Sequence, residues 1–362
     1  MNSDDNVRGD PTPIFEYVAK DDTVQSHYDF GLQVGRTFSE KINARLDRDS
    51  DLEDSYNFVR NTSEGQQIYR EFLDVHRKIF PLYVKELEGI ASGANVDFQR
   101  IFVKNLILEI DTLRSGTSST DHCSDYQMCT KEFCGVGHNE DDSEVSLNHT
   151  AIVKASFPSV NFTGFTYLGD LTSGAFGFNS NHVAFTLNWV GPNNVVRGGL
   201  GRGFVSRSLM EATNLEDAIS RVTVANQCAG HNVQLMDVQN RRVVNIETAP
   251  GFEYGIQEIT TPYFHANQYE LLKIDEHFGP SSTHRIARVR NMSIPHDAAS
   301  VLNILGDQND TQYPIFHDVL SHKRGELSDW TMATALFDLD SRTMKMYHGN
   351  PIQGEVMYTF EL

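Results

Sequence analysis

The chain changes its dominant hydrophobic period near residue 111, from helical to strand spacing, and that switch decides which folds are open to it. From about 25 to 111 apolar residues recur at helical spacing: Phe30, Val34, Phe38 and Ile42 form one stripe, with Gly31 and Gly35 allowing close packing on the same face. A second helix is expected over 63–79. A third starts at Pro81, whose fixed φ and missing N–H suit a first turn, and runs toward Gly93; a fourth covers 97–110. After Cys123, Val, Ile, Phe, Tyr and Thr alternate instead, predicting strands at 145–153, 162–168, 182–190, 232–238, 242–248, 262–267, 331–338, 343–348 and 356–361. Hairpins are expected at Gln239-Asn240 and Asp340-Ser341. Helices return at 203–222, with Asn214 as a cap, and at 284–305. Helices, then strands, then helices and closing strands describe an α+β layered sandwich. No repeat or low-complexity linker divides it, so 25–362 reads as one domain and the polar, acidic stretch 1–24 as a disordered tail.

Charge narrows the partners. With 30 Lys+Arg against 49 Asp+Glu, a formal charge of −19 repels phosphate backbones and anionic membranes, which argues against nucleic acid and membrane surfaces. The first 30 residues lack a basic start followed by an apolar run, and no stretch is long and apolar enough to span a bilayer, so cytoplasmic residence is expected. On that expectation the five Asn-X-Ser/Thr sequons, at Asn61, Asn148, Asn161, Asn291 and Asn309, are chance matches.

Four cysteines are too few for a disulfide scaffold, and Cys123, Cys129 and Cys134 make no close pair of the kind zinc prefers, so neither metal nor cofactor is expected. Cys129, Cys134 and Cys228 lie in or beside apolar segments and read as core residues. Cys123 differs, because the small polar run Arg114–His122 before it marks an exposed loop. Two further segments can carry chemistry. GVGHNEDD (135–142) reads as a short apolar stretch entering a polar turn that aims His138, Asn139 and Asp141 at one point. In PYFHANQY (262–269) a strand places His265 and Asn267 on one face, where an Asn amide could donate to an oxyanion.

Taken in order, SHYDFGLQVGRTFSEKI, FPLYVKELEGIASGANVDFQRIF, DHCSD, GVGHNEDD, SRSLMEATNLEDAI, YFHANQYE and TMATALFDLDSRTMKMYHGNP resemble one family. It is the group of N-terminal-nucleophile hydrolases that includes the acyl-CoA:6-aminopenicillanate acyltransferases and the β-alanyl-dopamine/carcinine hydrolases. The resemblance implies a four-layer αββα sandwich and a precursor that cuts itself between residues 122 and 123. It also implies a nucleophile at Cys123, a carboxylate at Asp141 and an oxyanion donor at Asn267, with His138, Asn139 and Asn188 at substrate-binding places. The freed α-amine of Cys123, with an ordinary pKa of about 7.7–8.0, would then serve as base.

The implied activity is hydrolysis of small N-acyl amines of the β-alanyl type through a thioester, with the two processed fragments staying associated. One departure stands out: relatives place Gly before the cysteine, whereas this chain has His122, whose Cβ restricts the scissile backbone. Three alternatives remain open. They are acyl transfer from the same thioester, an uncut binding protein of the same fold, and a thiol peptidase pairing an internal cysteine with His138, His149, His182 or His265.

Overall fold

The protein is described by a computed structural model over residues 11–116, 123–172, 174–277, 279–318, 322 and 329–362. Strand β1 (Ile14–Val18) precedes seven helices: α1 (Val24–Thr37), α2 (Ser39–Arg48), α3 (Ser50–Asn61), α4 (Ser63–Ile79), α5 (Pro81–Ala94), α6 (Phe98–Lys104) and α7 (Ile107–Ser115). Six strands follow: β2 (Ser124–Cys129), β3 (Cys134–Ser143), β4 (Thr150–Ser156), β5 (Asn161–Tyr167), β6 (Phe176–Asn179) and β7 (Val183–Trp189). Helices α8 (Arg202–Leu209) and α9 (Leu215–Val222) lead to β8 (His231–Asp237), β9 (Arg242–Ala249), β10 (Glu253–Glu258) and β11 (Tyr263–His265). Then come α10 (Pro280–Arg290), α11 (Ala298–Leu305), β12 (Asp329–Asp338), β13 (Thr343–Tyr347) and β14 (Val356–Glu361).

The helix signals act where the sequence places them. Thr62 accepts the Gly65 N–H at 2.9 Å to start α4, Pro81 opens α5, and Asn214 accepts the Asp217 N–H at 2.9 Å to start α9. Glycines set how closely α1 and α5 approach: a Cβ at Gly31 would lie 2.0 Å from the Glu86 carbonyl oxygen, and one at Gly89 would lie 2.2 Å from that of Tyr28.

Two sheets form, one ordered β1-β4-β5-β6-β7-β8-β9-β10 and the other β11-β2-β3-β12-β13-β14. Every pairing is antiparallel except β1 on β4. Period-two alternation assigns each strand face to a layer. Ala151, Val153 and Ala155 of β4 pack with Phe30, Ile42, Phe72 and Phe102 of the helices, while Ile152 turns to the second sheet. Tyr126 and Met128 of β2 pack instead on Val301, Ile304 and Leu305 of α11. Three apolar interfaces thus separate four layers, helix, sheet, sheet and helix, matching the αββα expectation.

Several expectations need correction. Residues 14–18 are not tail but an edge strand, because β4 offers a free ladder to pair with. The fourth helix breaks at Asn105 and Leu106, where Asn105 bonds the Gly169 carbonyl and the Leu171 N–H. GVGHNEDD is no turn: it lies within the ten-residue β3, whose polar side chains are paired on both faces. Cys129 and Cys134 are joined as a disulfide across the β2–β3 hairpin. Strands β6 and β10 were not expected. Of the loop before Cys123, Arg114 and Ser115 complete α7, while 117–122, His122 among them, lie outside the described residues. Among the described residues no helix is long and apolar enough to cross a membrane.

Candidate active site

Strands β2 and β3 set the site by register. Asp125 sits opposite His138 and Ser124 opposite Asn139, so alternation points Cys123, Asp125, His138 and Glu140 toward the first sheet and Ser124, Asn139 and Asp141 toward α10 and α11. Cys123 has φ +75°, a left-handed conformation that costs a non-glycine residue about 1–3 kcal/mol. The strain sits on the residue just after the expected cut.

The thiol donates to Glu140 Oε2 at 3.3 Å. Glu140 is buried and otherwise saturated: His138 Nε2 lies 2.9 Å from the same oxygen, and the Tyr167 hydroxyl donates to the other. His138 Nδ1 lies 3.1 Å from Asp125 Oδ1, which also accepts the Thr186 hydroxyl at 2.7 Å. Both imidazole nitrogens face carboxylates, so both carry protons. Burial alone would lower the pKa of His138, but Asp125 and Glu140 override it and raise it to about 10. Burial, reinforced by Glu140 and Asp141, drives the Cys123 thiol well above its ordinary value. Burial also raises Glu140, against the pull of His138 and Tyr167. With its peptide intact, this cysteine is a protonated thiol beside a basic carboxylate.

Cys123, Glu140 and Asn188 line a cavity of about 220 Å³, walled also by Glu109, Tyr167, Trp189, Arg202 and His231. Asn188 gives its Nδ2 to His265 Nδ1 at 3.1 Å and leaves Oδ1 unpartnered, so this expected binding residue does face the space where a substrate fits. Asn139 does not. Its Nδ2 donates to the Leu305 and Ile315 carbonyls and its Oδ1 accepts from Thr334, which exhausts it behind the sheet. Nor does His138 line the cavity; it braces Glu140. Asp141 accepts the Thr331 hydroxyl at 2.6 Å, and only its carbonyl oxygen approaches the sulfur, at 4.0 Å.

Asn267 reaches Cys123 through an intermediary. Its Nδ2 donates to the Trp189 carbonyl at 3.0 Å and its Oδ1 accepts from Arg285 Nη2 at 2.7 Å. Arg285 in turn donates from Nη1 to the Cys123 carbonyl and, at 2.8 Å, to the Ser124 hydroxyl. Arg285 and Glu140 are the residues that sequence reasoning missed. Glu140 could have been found by parity with His138 once GVGHNEDD was taken as strand; Arg285 is one of three arginines on α10, and no local pattern sets it apart.

Cys123 Sγ, His138 Nε2 and a Glu140 oxygen lie within 4.8 Å of one another, a spacing that could hold a metal ion. A metal would first have to displace the proton His138 shares with Glu140. The same contact disfavours a thiol peptidase pair, since the imidazole beside the thiol is already protonated and separated from it by a carboxylate. His265 is engaged with Asn188 and Glu247, and His182 points to the Leu362 carbonyl.

The family profile described as acyl-coenzyme A:6-aminopenicillanic acid acyl-transferase matches residues 129–353. The β-alanyl-dopamine/carcinine hydrolase of Drosophila melanogaster is 27% identical over 366 residues, covering 91% of this chain and 92% of that protein. Among solved structures, a Caenorhabditis elegans ortholog of N-acylethanolamine-hydrolyzing acid amidase aligns with TM-score 0.39 and 13% identity, over 58% of this chain and 99% of that one. A variant of the conjugated bile acid hydrolase of Clostridium perfringens aligns with TM-score 0.39 and 12% identity, over 66% of this chain and 97% of that one.

Proposed function

Since the chain belongs to the acyl-coenzyme A:6-aminopenicillanic acid acyl-transferase family, we propose that it hydrolyses N-acyl amines of the β-alanyl type, with Cys123 as an N-terminal nucleophile released by self-cleavage. One observation carries this reading: a strained cysteine whose thiol meets the Glu140 carboxylate at the wall of a cavity lined by both charged and apolar side chains. In the uncut chain Sγ attacks the carbonyl of residue 122. The thiol proton passes by way of Glu140 to the leaving nitrogen, the peptide C–N bond breaks and a thioester forms beside the new α-amine; water then hydrolyses the thioester, returning the thiol and releasing residues 1–122, which stay bound to 123–362. In the cut protein the amine takes the thiol proton and Sγ attacks the substrate carbonyl. Asn267, whose Nδ2 keeps a second hydrogen beyond its bond to the Trp189 carbonyl, would stabilise the oxyanion together with backbone N–H groups, one such donor being worth about 2.7–4 kcal/mol. Asp141, whose Oδ2 has no hydrogen-bond partner while Oδ1 is held by Thr331, would have to turn that free oxygen toward the amine to orient it.

Intact mass decides the first step: fragments 1–122 and 123–362 are expected from the wild type and a single chain from Cys123→Ala. Incubation with a β-alanyl amine should then release β-alanine. A wild type that stays whole and inert would leave an uncut binding protein of this fold. Acyl transfer is a second reading because the matching family is described by that reaction; hydroxylamine added to the assay would divert the thioester to a hydroxamate.

Cytosolic residence is the expectation from sequence, and the Cys129–Cys134 bond favours an oxidising compartment instead. All five sequon asparagines are exposed. A thiol count on denatured, unreduced protein separates the two, giving two thiols, Cys123 and Cys228, if the bond persists and four if it does not.

A further inference from the structure

The acids around the cavity are not equivalent. Asp170 is paired with Arg45 at 3.0 Å, and Asp142 accepts the Ser143 N–H and the Ser146 hydroxyl. Asp141 accepts from Thr331 on Oδ1 and has His317 Nε2 3.8 Å from its otherwise unpartnered Oδ2, and Glu140 is held by His138, Tyr167 and the thiol. Glu109, contributed by α7 and 2% exposed, has a single hydrogen bond among the described residues, from the Arg202 backbone N–H to Oε1 at 2.9 Å. Its other oxygen has none.

Among the described residues no cation makes an ion pair with Glu109 within 4.0 Å, and the Arg202 charge acts on it only from farther off. The Arg202 guanidinium lies 3.7 Å over the Trp189 ring and makes no ion pair within 4.0 Å among the described residues. Lys104 is taken by Asp49 at 2.7 Å. His231, which lines the same cavity, has both ring nitrogens unpartnered, and burial and Arg202 push it down to about 3, so it stays neutral. Desolvating a carboxylate without a partner is costly, and the cost disappears if a ligand brings the cation.

We propose that Glu109 holds the terminal ammonium of a short ω-aminoacyl substrate, the unpartnered Asn188 Oδ1 and His231 lining the same pocket. The assignment rests on the hydrolase reading above and narrows it: the acyl group, not the amine leaving group, carries the recognised charge. It also gives the helical segment before the cut a direct part in specificity.

The test compares β-alanyl and butanoyl amides of one amine, which differ only in ammonium against methyl. In the wild type kcat/KM should favour the β-alanyl amide, and Glu109→Gln should lower that ratio by about 30-fold or more. Calorimetry with the wild-type protein as purified provides a readout independent of turnover, since β-alanine is a product: β-alanine binds, butanoate does not, and β-alanine binding is lost in Glu109→Gln, whereas a wild type that does not bind β-alanine overturns the assignment. An unchanged ratio, or β-alanine binding that survives the Gln, overturns the assignment and leaves the hydrolase reading intact. A wild type that cleaves butanoyl but not β-alanyl amides overturns both the β-alanyl reading and this one. A wild type that cleaves neither removes the enzyme reading, and the assignment with it.

Discussion

The space between the two sheets has two ends built from the same strands but filled with opposite chemistry. At one end Ile152, Phe165, Phe176, Met236, Val136, Ala335, Phe337 and Met346 make an apolar interface. At the other, Asp125, His138, Glu140, Thr186, Asn188, Gln234, Asn245, Glu247 and His265 are just as buried. The change occurs along single strands: on the inward face of β7, Ala184 is apolar, Thr186 bonds Asp125 and Asn188 bonds His265. Apolar side chains could fill both ends. That one end is instead a hydrogen-bonded network, which burial penalises, marks where stability gives way to chemistry.

The largest effect should come from the polar end. Glu140→Gln keeps the shape but cannot take the thiol proton, so self-cleavage should slow about 10²–10⁴-fold, followed by intact mass over time; cleavage at the wild-type rate would remove Glu140 from the mechanism. At the apolar end, Phe337→Ala should cost about 3–5 kcal/mol in urea unfolding and change the cleavage rate of folded protein little. A smaller loss, about 1–3 kcal/mol, is expected for Thr186→Val, which deprives Asp125 of a buried donor. If it costs nothing, the network is less tightly coupled than its distances suggest.

The subtlest contrast is with pH. His138 has a folded value of about 10, above its ordinary 6.5, so the stability from its charged form is complete below about pH 6.5 and fades as pH climbs toward 10. Unfolding free energy should fall across that window in the wild type, and less steeply in His138→Asn; parallel profiles would show that the imidazole is not charged in the fold.

The same division explains what the sequence disclosed. The helical layer and apolar end were legible because hydrophobic period reports burial directly: α4 was expected at 63–79 and is Ser63–Ile79, and β14 was expected at 356–361 and is Val356–Glu361. At the polar end the signal inverts. Asn139, Glu140 and Asp141 carry turn chemistry, and it is pairing with β2 and β12, with the Leu305 carbonyl and Thr331 taking up their polar groups, that makes a strand of them. Family resemblance supplied Cys123, Asn188 and Asn267 without supplying contacts, so Glu140 and Arg285 were missed and Asn139 was assigned to the wrong side of the sheet. Strand β1 was lost because its partner β4 lies more than a hundred residues away, beyond the reach of any local pattern.

That distant pairing has a kinetic consequence. Five residues from the start of the chain complete a sheet whose other seven strands all come after Cys123. If the 122–123 bond is cut as proposed, regaining that edge after denaturation becomes an encounter between two molecules, with a rate that scales with concentration, whereas an intact chain closes it within itself. Renaturation of a cut wild type should therefore fail on dilution where that of Cys123→Ala succeeds, and the proposed cut would then be a step that only an already folded chain can take without loss.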